Sequence, residues 1–90
     1  MIQIGKVYWT FGVSNWSGSD PGIMEGIIAA VKKHEKGNWG EVDKEDWQTN
    51  NRAVEEGSRV LSSYTVAGKK IWVITEWDRS TTTVLFPEEY

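Results

Sequence analysis

Two carboxylates and a guanidinium fall within four residues at Glu76, Asp78 and Arg79. Side chains of these types can bind a ligand, hold a cation or meet a partner's charge. A local reading competes with that one. Asp78 can close an Asx-type turn, and Arg79 can form a two-pronged pair with a carboxylate such as Glu76 or Asp46. A second group, Trp39, Trp47, Asn50 and Asn51, supplies aromatic walls and amide groups able to hold a base or a peptide. The same residues serve equally as a core Trp47 whose neighbouring amides satisfy backbone groups. The ligand-binding candidates are therefore Trp39, Asn50, Asn51, Glu76, Asp78 and Arg79.

The acids Glu41, Asp43, Glu45 and Asp46 do not match EF-hand spacing. Asp43 suits a helix N-cap, with Asp46 three residues on in the reciprocal capping position. The group reads as a solvated capping face, with Glu41, Asp43 and Glu45 kept as charges for a partner. His34, near a helix end, reads as a solvated positive charge that complements the helix dipole. Ser62, Ser63 and Thr81–Thr83 lack a His/Asp constellation for nucleophilic catalysis, and no glycine-rich phosphate loop is present. No catalytic residue, metal or cofactor is assigned, and a protein that is not an enzyme is expected.

Composition narrows the field further. Ninety residues make one domain, 1–90. With no Cys, disulfide scaffolds, cysteine–zinc sites and thiol nucleophiles are excluded. No apolar run approaches the roughly 20 residues of a membrane span, and the N-terminus lacks a signal-peptide layout, so a cytoplasmic protein that does not engage membranes is expected. The net charge is −3, and residues 35–56 alone carry −4 from seven acids and three bases. No basic stripe exists to neutralise phosphates, so direct nucleic-acid binding is not expected.

The elements that must position these residues are legible in outline. Ile2 to Val13 is rich in β-branched and aromatic residues and predicts a strand. Ser14–Ser19 predicts a loop. Asp20-Pro21 starts a helix that runs to about Lys36, with Ile23, Met24, Ile27, Ile28 and Val31 as its apolar stripe and Gly37 as its stop. A second helix is predicted over Lys44–Glu56, ended by Gly57. Arg59–Val66, Lys70–Trp77 and Thr81–Phe86 predict three strands joined by short turns. The expectation is a two-layer α+β domain, β-α-α-β-β-β, with an antiparallel sheet and two helices on one face. Six Trp are more than a core of this size needs. Trp72 and Trp47 read as core, with Trp77 close to it. Trp9 and Trp16 read as the surplus, available as interface anchors.

The second half carries a recognisable pattern. It comprises Gly37-Asn38-Trp39-Gly40-Glu41-Val42-Asp43, Asn50-Asn51, Glu56-Gly57-Ser58-Arg59-Val60, Lys70-Ile71-Trp72-Val73-Ile74-Thr75-Glu76-Trp77-Asp78-Arg79-Ser80 and Thr82-Thr83-Val84-Leu85-Phe86-Pro87. Ile4-Gly5-Lys6-Val7 and Thr10-Phe11-Gly12 match the opening of the same pattern. The chain resembles a family of small bacterial proteins carried on plasmids and other mobile elements, labelled "plasmid-related protein" or, loosely, type I restriction enzyme subunit. The second label conflicts with the chemistry. A DNA methyltransferase needs a doubly wound cofactor sheet and an Asn-Pro-Pro-aromatic motif, and the only prolines here are Pro21 and Pro87. The resemblance implies a mobile-element context, some members of which carry counter-defence functions. Combined with the surplus aromatics, local acidity and lack of a catalytic set, it gives an expected role. That role is a protein-binding module, with inhibition of a host defence nuclease of anti-CRISPR or anti-restriction type as its specific form. Trp9, Trp16, Glu41, Asp43 and Glu45 are the partner-binding candidates. The alternatives are a small ligand-binding or catalytic domain built on Glu76, Asp78, Arg79 and the Asn50–Asn51 helix, and a homodimer formed through the aromatic face.

Overall fold

The computed structural model, which covers residues 1–90, turns the β-rich second half into a meander. Strands β2 (Val60–Val66), β3 (Lys69–Thr75) and β4 (Thr81–Leu85) pair antiparallel, and Val73 lies opposite both Ser62 and Val84. The β2–β3 turn is two residues, Ala67 and Gly68, with φ of 49° and 79°. Positive φ at both positions lets the turn follow the right-handed twist of the strands. Strand β1 (Lys6–Trp9) lies on the far side of β4 and runs parallel to it, giving the order β1-β4-β3-β2.

The fold is α+β, but the sheet is mixed, which corrects the expectation of a purely antiparallel one. A parallel neighbour needs a long crossover, and here the crossover contains every helix and the two other strands. Short turns mark local pairing in a sequence; nothing local marks a pairing across that separation. The first strand is also far shorter than Ile2–Val13. At Gly5, φ is 60° and an added Cβ would sit 2.2 Å from the Ser80 carbonyl oxygen, so the chain bends there against the β3–β4 turn.

At the other end of β1, Thr10 turns the chain into α1 (Phe11–Ser17), where a strand end and a loop were predicted. The Thr10 hydroxyl accepts from the Val13 N–H at 3.2 Å, and Val13 is fully buried. The domain therefore has three helices, not two. Helix α2 (Pro21–Glu35) follows its predicted limits, capped by Asp20, whose carboxylate accepts from Gly22 N. Its buried stripe is Ile23, Ile27, Ala30 and His34, rotated from the predicted one, so that Met24 and Ile28 are exposed. Helix α3 (Lys44–Glu56) also matches, with Asp43 accepting from Asp46 N at 2.8 Å and Gly57 closing it at φ 75°. The reciprocal capping bond is not formed, and the Asp46 carboxylate accepts no hydrogen bond.

Helices α1 and α2 cover one face of the sheet. Val13, Ile23, Ile27 and Ala30 meet Tyr64, Val66, Ile71, Val73, Val84 and Phe86 there. A smaller core of Ile2, Trp39, Ala53 and Val60 ties α3 to β2. The opposite face carries its own aromatic cover from the chain's end, where the Tyr90 ring stands edge-on to Trp72 at 5.6 Å. Aromatics on one side and helices on the other explain how the apolar run Ile71–Thr75 forms a central strand.

Candidate functional site

The two edges of the sheet are treated differently. Along β2, Asn50 of α3 lays its amide against the backbone. Its Nδ2 donates to the Leu61 carbonyl at 2.8 Å, and its Oδ1 accepts from Leu61 N–H at 3.3 Å. Two residues on, Ser63 N–H donates to the Trp39 carbonyl at 3.2 Å and Glu41 N–H donates to the Ser63 carbonyl at 2.7 Å. That approach depends on Gly40, at φ 75°, where a Cβ would lie 2.1 Å from the Ser63 oxygen. Thr65 then donates its hydroxyl proton to Glu41 Oε1 at 2.9 Å. The edge is closed by side chains and by a stretch of irregular backbone. Asn50→Ala should cost about 1 kcal/mol, because it leaves a partly buried N–H and C=O of Leu61 without their partners. Asn50→Asp should not rescue it, since a carboxylate cannot donate to the Leu61 carbonyl. Urea denaturation of the three proteins checks both expectations.

The β1 edge is open. Lys6 N–H donates to the Ser80 carbonyl and Thr10 N–H to the Val84 carbonyl. Even-numbered residues thus face β4, and by alternation the main-chain groups of Val7 and Trp9 face outward. Beside this edge lies an apolar groove of about 350 Å³, lined by Ile4, Val7 and Trp9 on one side and Ile28 and Val31 of α2 on the other. Lys32 and Glu35 stand at its rim. Val7 is 41% exposed and Tyr8 51%.

The only histidine is the main surprise of the interior. His34, read from the sequence as a solvated charge, is fully buried. Its Nδ1 lies 2.5 Å from the Ser62 hydroxyl and its Nε2 2.8 Å from Thr75 Oγ1. Thr75 Oγ1 is 2.6 Å from Thr82 Oγ1, which donates to the Ile4 carbonyl at 2.7 Å. A carbonyl can only accept, and this fixes the direction of the chain as far as His34 Nε2. Thr82 donates to Ile4, so Thr75 donates to Thr82. His34 must then donate through Nε2–H, and in the neutral ring Nδ1 is left to accept from Ser62. The imidazole is neutral and its tautomer is set. Burial, with a smaller contribution from the Arg79 charge, pulls its pKa down to about 4. His34 lines none of the three hollows in the molecule, and both of its ring nitrogens are taken up within the core.

Glu76, Asp78 and Arg79 do not converge. Asp78 accepts from both the N–H and the hydroxyl of Ser80, which hold its carboxyl below the usual carboxylate range. Glu76 makes a long ion pair, 3.9 Å, with Arg59 Nε. Arg79 pairs with no carboxylate, contrary to the local reading. Its guanidinium donates to three backbone carbonyls, those of Ser58 (2.6 Å), Ala53 (3.0 Å) and Glu76 (3.1 Å). It thereby pins the C-terminal end of α3 to the β3–β4 turn.

The tryptophans are also distributed differently from the prediction. Trp39 is the largest fully buried side chain, and its indole N–H donates to Asn51 Oδ1 at 2.9 Å. Trp77, expected near the core, is 67% exposed on the β3–β4 turn. Trp9 and Trp16 are half-buried and pack on the main core. Trp16 leans on Phe86 with ring centres 5.4 Å apart, and the Lys69 ammonium sits 4.8 Å from the Phe86 centre. Among the acids, Glu41 holds Thr65, Asp43 caps α3 and Glu45 is exposed. No group of three or more His, Asp or Glu is placed to hold a metal ion, and no helix is long and apolar enough to cross a membrane.

The predicted ligand residues are thus dispersed. Trp39 and Asn51 border one hollow, Asn50 borders another, and Glu76, Asp78 and Arg79 border none. The groove residues Ile4, Val7, Ile28 and Val31 were not singled out from the sequence. One signal was present in it: the apolar stripe of α2 is wider than a single core face requires, and Ile28 is the excess. No protein-family model, curated protein or solved structure matches the chain.

Proposed function

We propose that this chain is a protein-binding module with no catalytic role, which takes an extended segment of a partner protein alongside β1 as an added strand. The contrast between the two edges carries the reading. Asn50 and Trp39–Glu41 close β2 against pairing, while Val7 and Trp9 present free main-chain groups beside an apolar groove. Strand addition draws affinity from main-chain hydrogen bonds and specificity from pockets for alternate side chains. Here alternate side chains of the added strand would face Ile28 and Val31, and the others would lie beside Tyr8. Asn50, Asp78 and Arg79, among the polar residues considered for a ligand site, are occupied with backbone groups, which supports a binding role for the open edge instead. The resemblance to mobile-element proteins makes a host defence nuclease the first partner to try.

The test is co-elution with candidate nuclease effectors on a sizing column, using the native chain, Val7→Pro and Ile28→Lys. Proline is tolerated at an edge position whose N–H faces away from the sheet, and it removes the donor an added strand needs. Binding by the native chain and its loss in both variants, with circular dichroism unchanged, is the expected result. A complex that survives both substitutions, or no complex with any effector, overturns the reading.

A further inference from the structure

A second hollow, of about 260 Å³, lies beside the closed β2 edge, between the first turns of α3 and the C-terminal aromatic cover. Val42, Leu61 and the Tyr90 ring give it apolar walls, and Asp46, Thr49 and Arg59 bring polar groups. Those polar groups have few other commitments. The Asp46 carboxylate accepts no hydrogen bond and makes no ion pair. Arg59 is held with its guanidinium carbon 5.0 Å from the Tyr90 ring centre, and its single ion pair is the long one from Nε to Glu76. The two outer nitrogens of its fork are unpartnered. Thr49 donates its hydroxyl proton to the Glu45 carbonyl and accepts a long hydrogen bond from Arg52 Nη2 at 3.5 Å. Asn50, by contrast, is fully used by Leu61. A free carboxylate and a guanidinium with two unpartnered nitrogens therefore border one cleft without pairing with each other.

We infer that this cleft binds a small zwitterion, a free α-amino acid with an aliphatic or aromatic side chain. The ammonium meets Asp46, the carboxylate takes the Arg59 fork, and the side chain lies on Leu61 and Val42. Arg59 is already oriented by Tyr90, so less side-chain freedom is lost on binding. Both ion pairs face water and are individually weak, and with burial of one apolar side chain the affinity is about millimolar. The inference is independent of the β1 reading, because it concerns the other edge of the sheet.

The experiment is a titration of the ¹⁵N-labelled chain followed by amide chemical shifts. The probes are L-phenylalanine, N-acetyl-phenylalanine, which lacks the ammonium, and phenylalaninamide, which lacks the carboxylate. Phenylalanine should give saturable shifts at Asp46, Arg59 and Leu61, and each blocked compound should bind about fivefold more weakly. Asp46→Asn should weaken phenylalanine and leave N-acetyl-phenylalanine unchanged; Arg59→Gln should weaken phenylalanine and leave the amide unchanged. Both residues are exposed, and thermal melts verify folding of the variants. Absence of saturable shifts at these positions overturns the inference. So does equal binding of a blocked compound: tight binding of phenylalaninamide would assign the cleft to a peptide N-terminus instead.

Discussion

Acidification from neutral pH to below 4 is expected to remove about 3 kcal/mol of folding stability through His34 alone. In the native state the ring stays neutral down to about 4, whereas in the unfolded chain it protonates near 6.5. The unfolded state therefore takes up the proton first as pH falls. The contribution is fully present above 6.5, is lost progressively between 6.5 and about 4, and levels off below both values. Each tenfold difference in proton affinity corresponds to about 1.4 kcal/mol, which sets the total. The physical cause is burial of the ring, which disfavours its charged form, with a smaller contribution from the Arg79 charge. A proton added at Nδ1 would place a charge in a site that is shielded from solvent and holds no carboxylate partner. Asp78 is held in the same sense as a stabilised carboxylate, but it is fully exposed and comes into play only at more acid pH. Urea unfolding at a series of pH values should show the loss, and the slope should vanish in His34→Gln. Because the chain has one histidine, its ring proton signals are unambiguous. A folded-state titration near 6.5 would refute the buried chain.

Trp39→Ala is expected to cost about 4 kcal/mol, near the upper part of the range for emptying an aromatic site. The indole fills the centre of the smaller core, between Ile2, Ala53 and Val60. It also stands edge-on to His34, with ring centres 5.5 Å apart, and so forms one wall of the polar chain. Its removal undermines the docking of α3 and the closure of β2 together. Trp39→Phe keeps much of the apolar area, leaves a smaller void, and loses the bond to Asn51, which is exposed and can turn to water. About 1.5 kcal/mol is expected there. Domains of this kind have about 5–15 kcal/mol in all, so the alanine variant should show hydrogen exchange through α3 under native conditions. Protection of α3 unchanged from the parent would place the tryptophan outside the core.

What the sequence disclosed was whatever is settled within one turn or one hairpin. Asp20-Pro21 and Asp43 marked the starts of α2 and α3, Gly37 and Gly57 marked their ends, and the short turns marked the meander. Helix α1 escaped because Gly12, Ser14, Asn15 and Ser17 are weak helix formers, and the helix owes its place to the Thr10 cap and to Val13 in the core. His34 escaped for a different reason. Taken alone near a cationic helix end it suits a dipole, yet it falls on the spacing Ile23, Ile27, Ala30, His34, which was available to see. Trp39 and Asn50 were noticed, but their role depends on β2 lying alongside them, which no local pattern encodes. Arg79 belongs to the same class. Three carbonyls from two different segments make its site, and carbonyls leave no trace in the identity of a residue.

The uneven treatment of the two edges also sets a ceiling on stoichiometry. A sheet that can be lengthened at both ends can polymerise, because each added copy offers a fresh end. A sheet with one usable end can be lengthened once. Two copies of this chain meeting through β1 would each present β2 outward, already occupied, so growth would stop at a closed pair, as an isologous contact does. Asn50 and Gly40 are thus residues of restraint as well as of stability. Without them the same sheet would become a divalent monomer for a fibre.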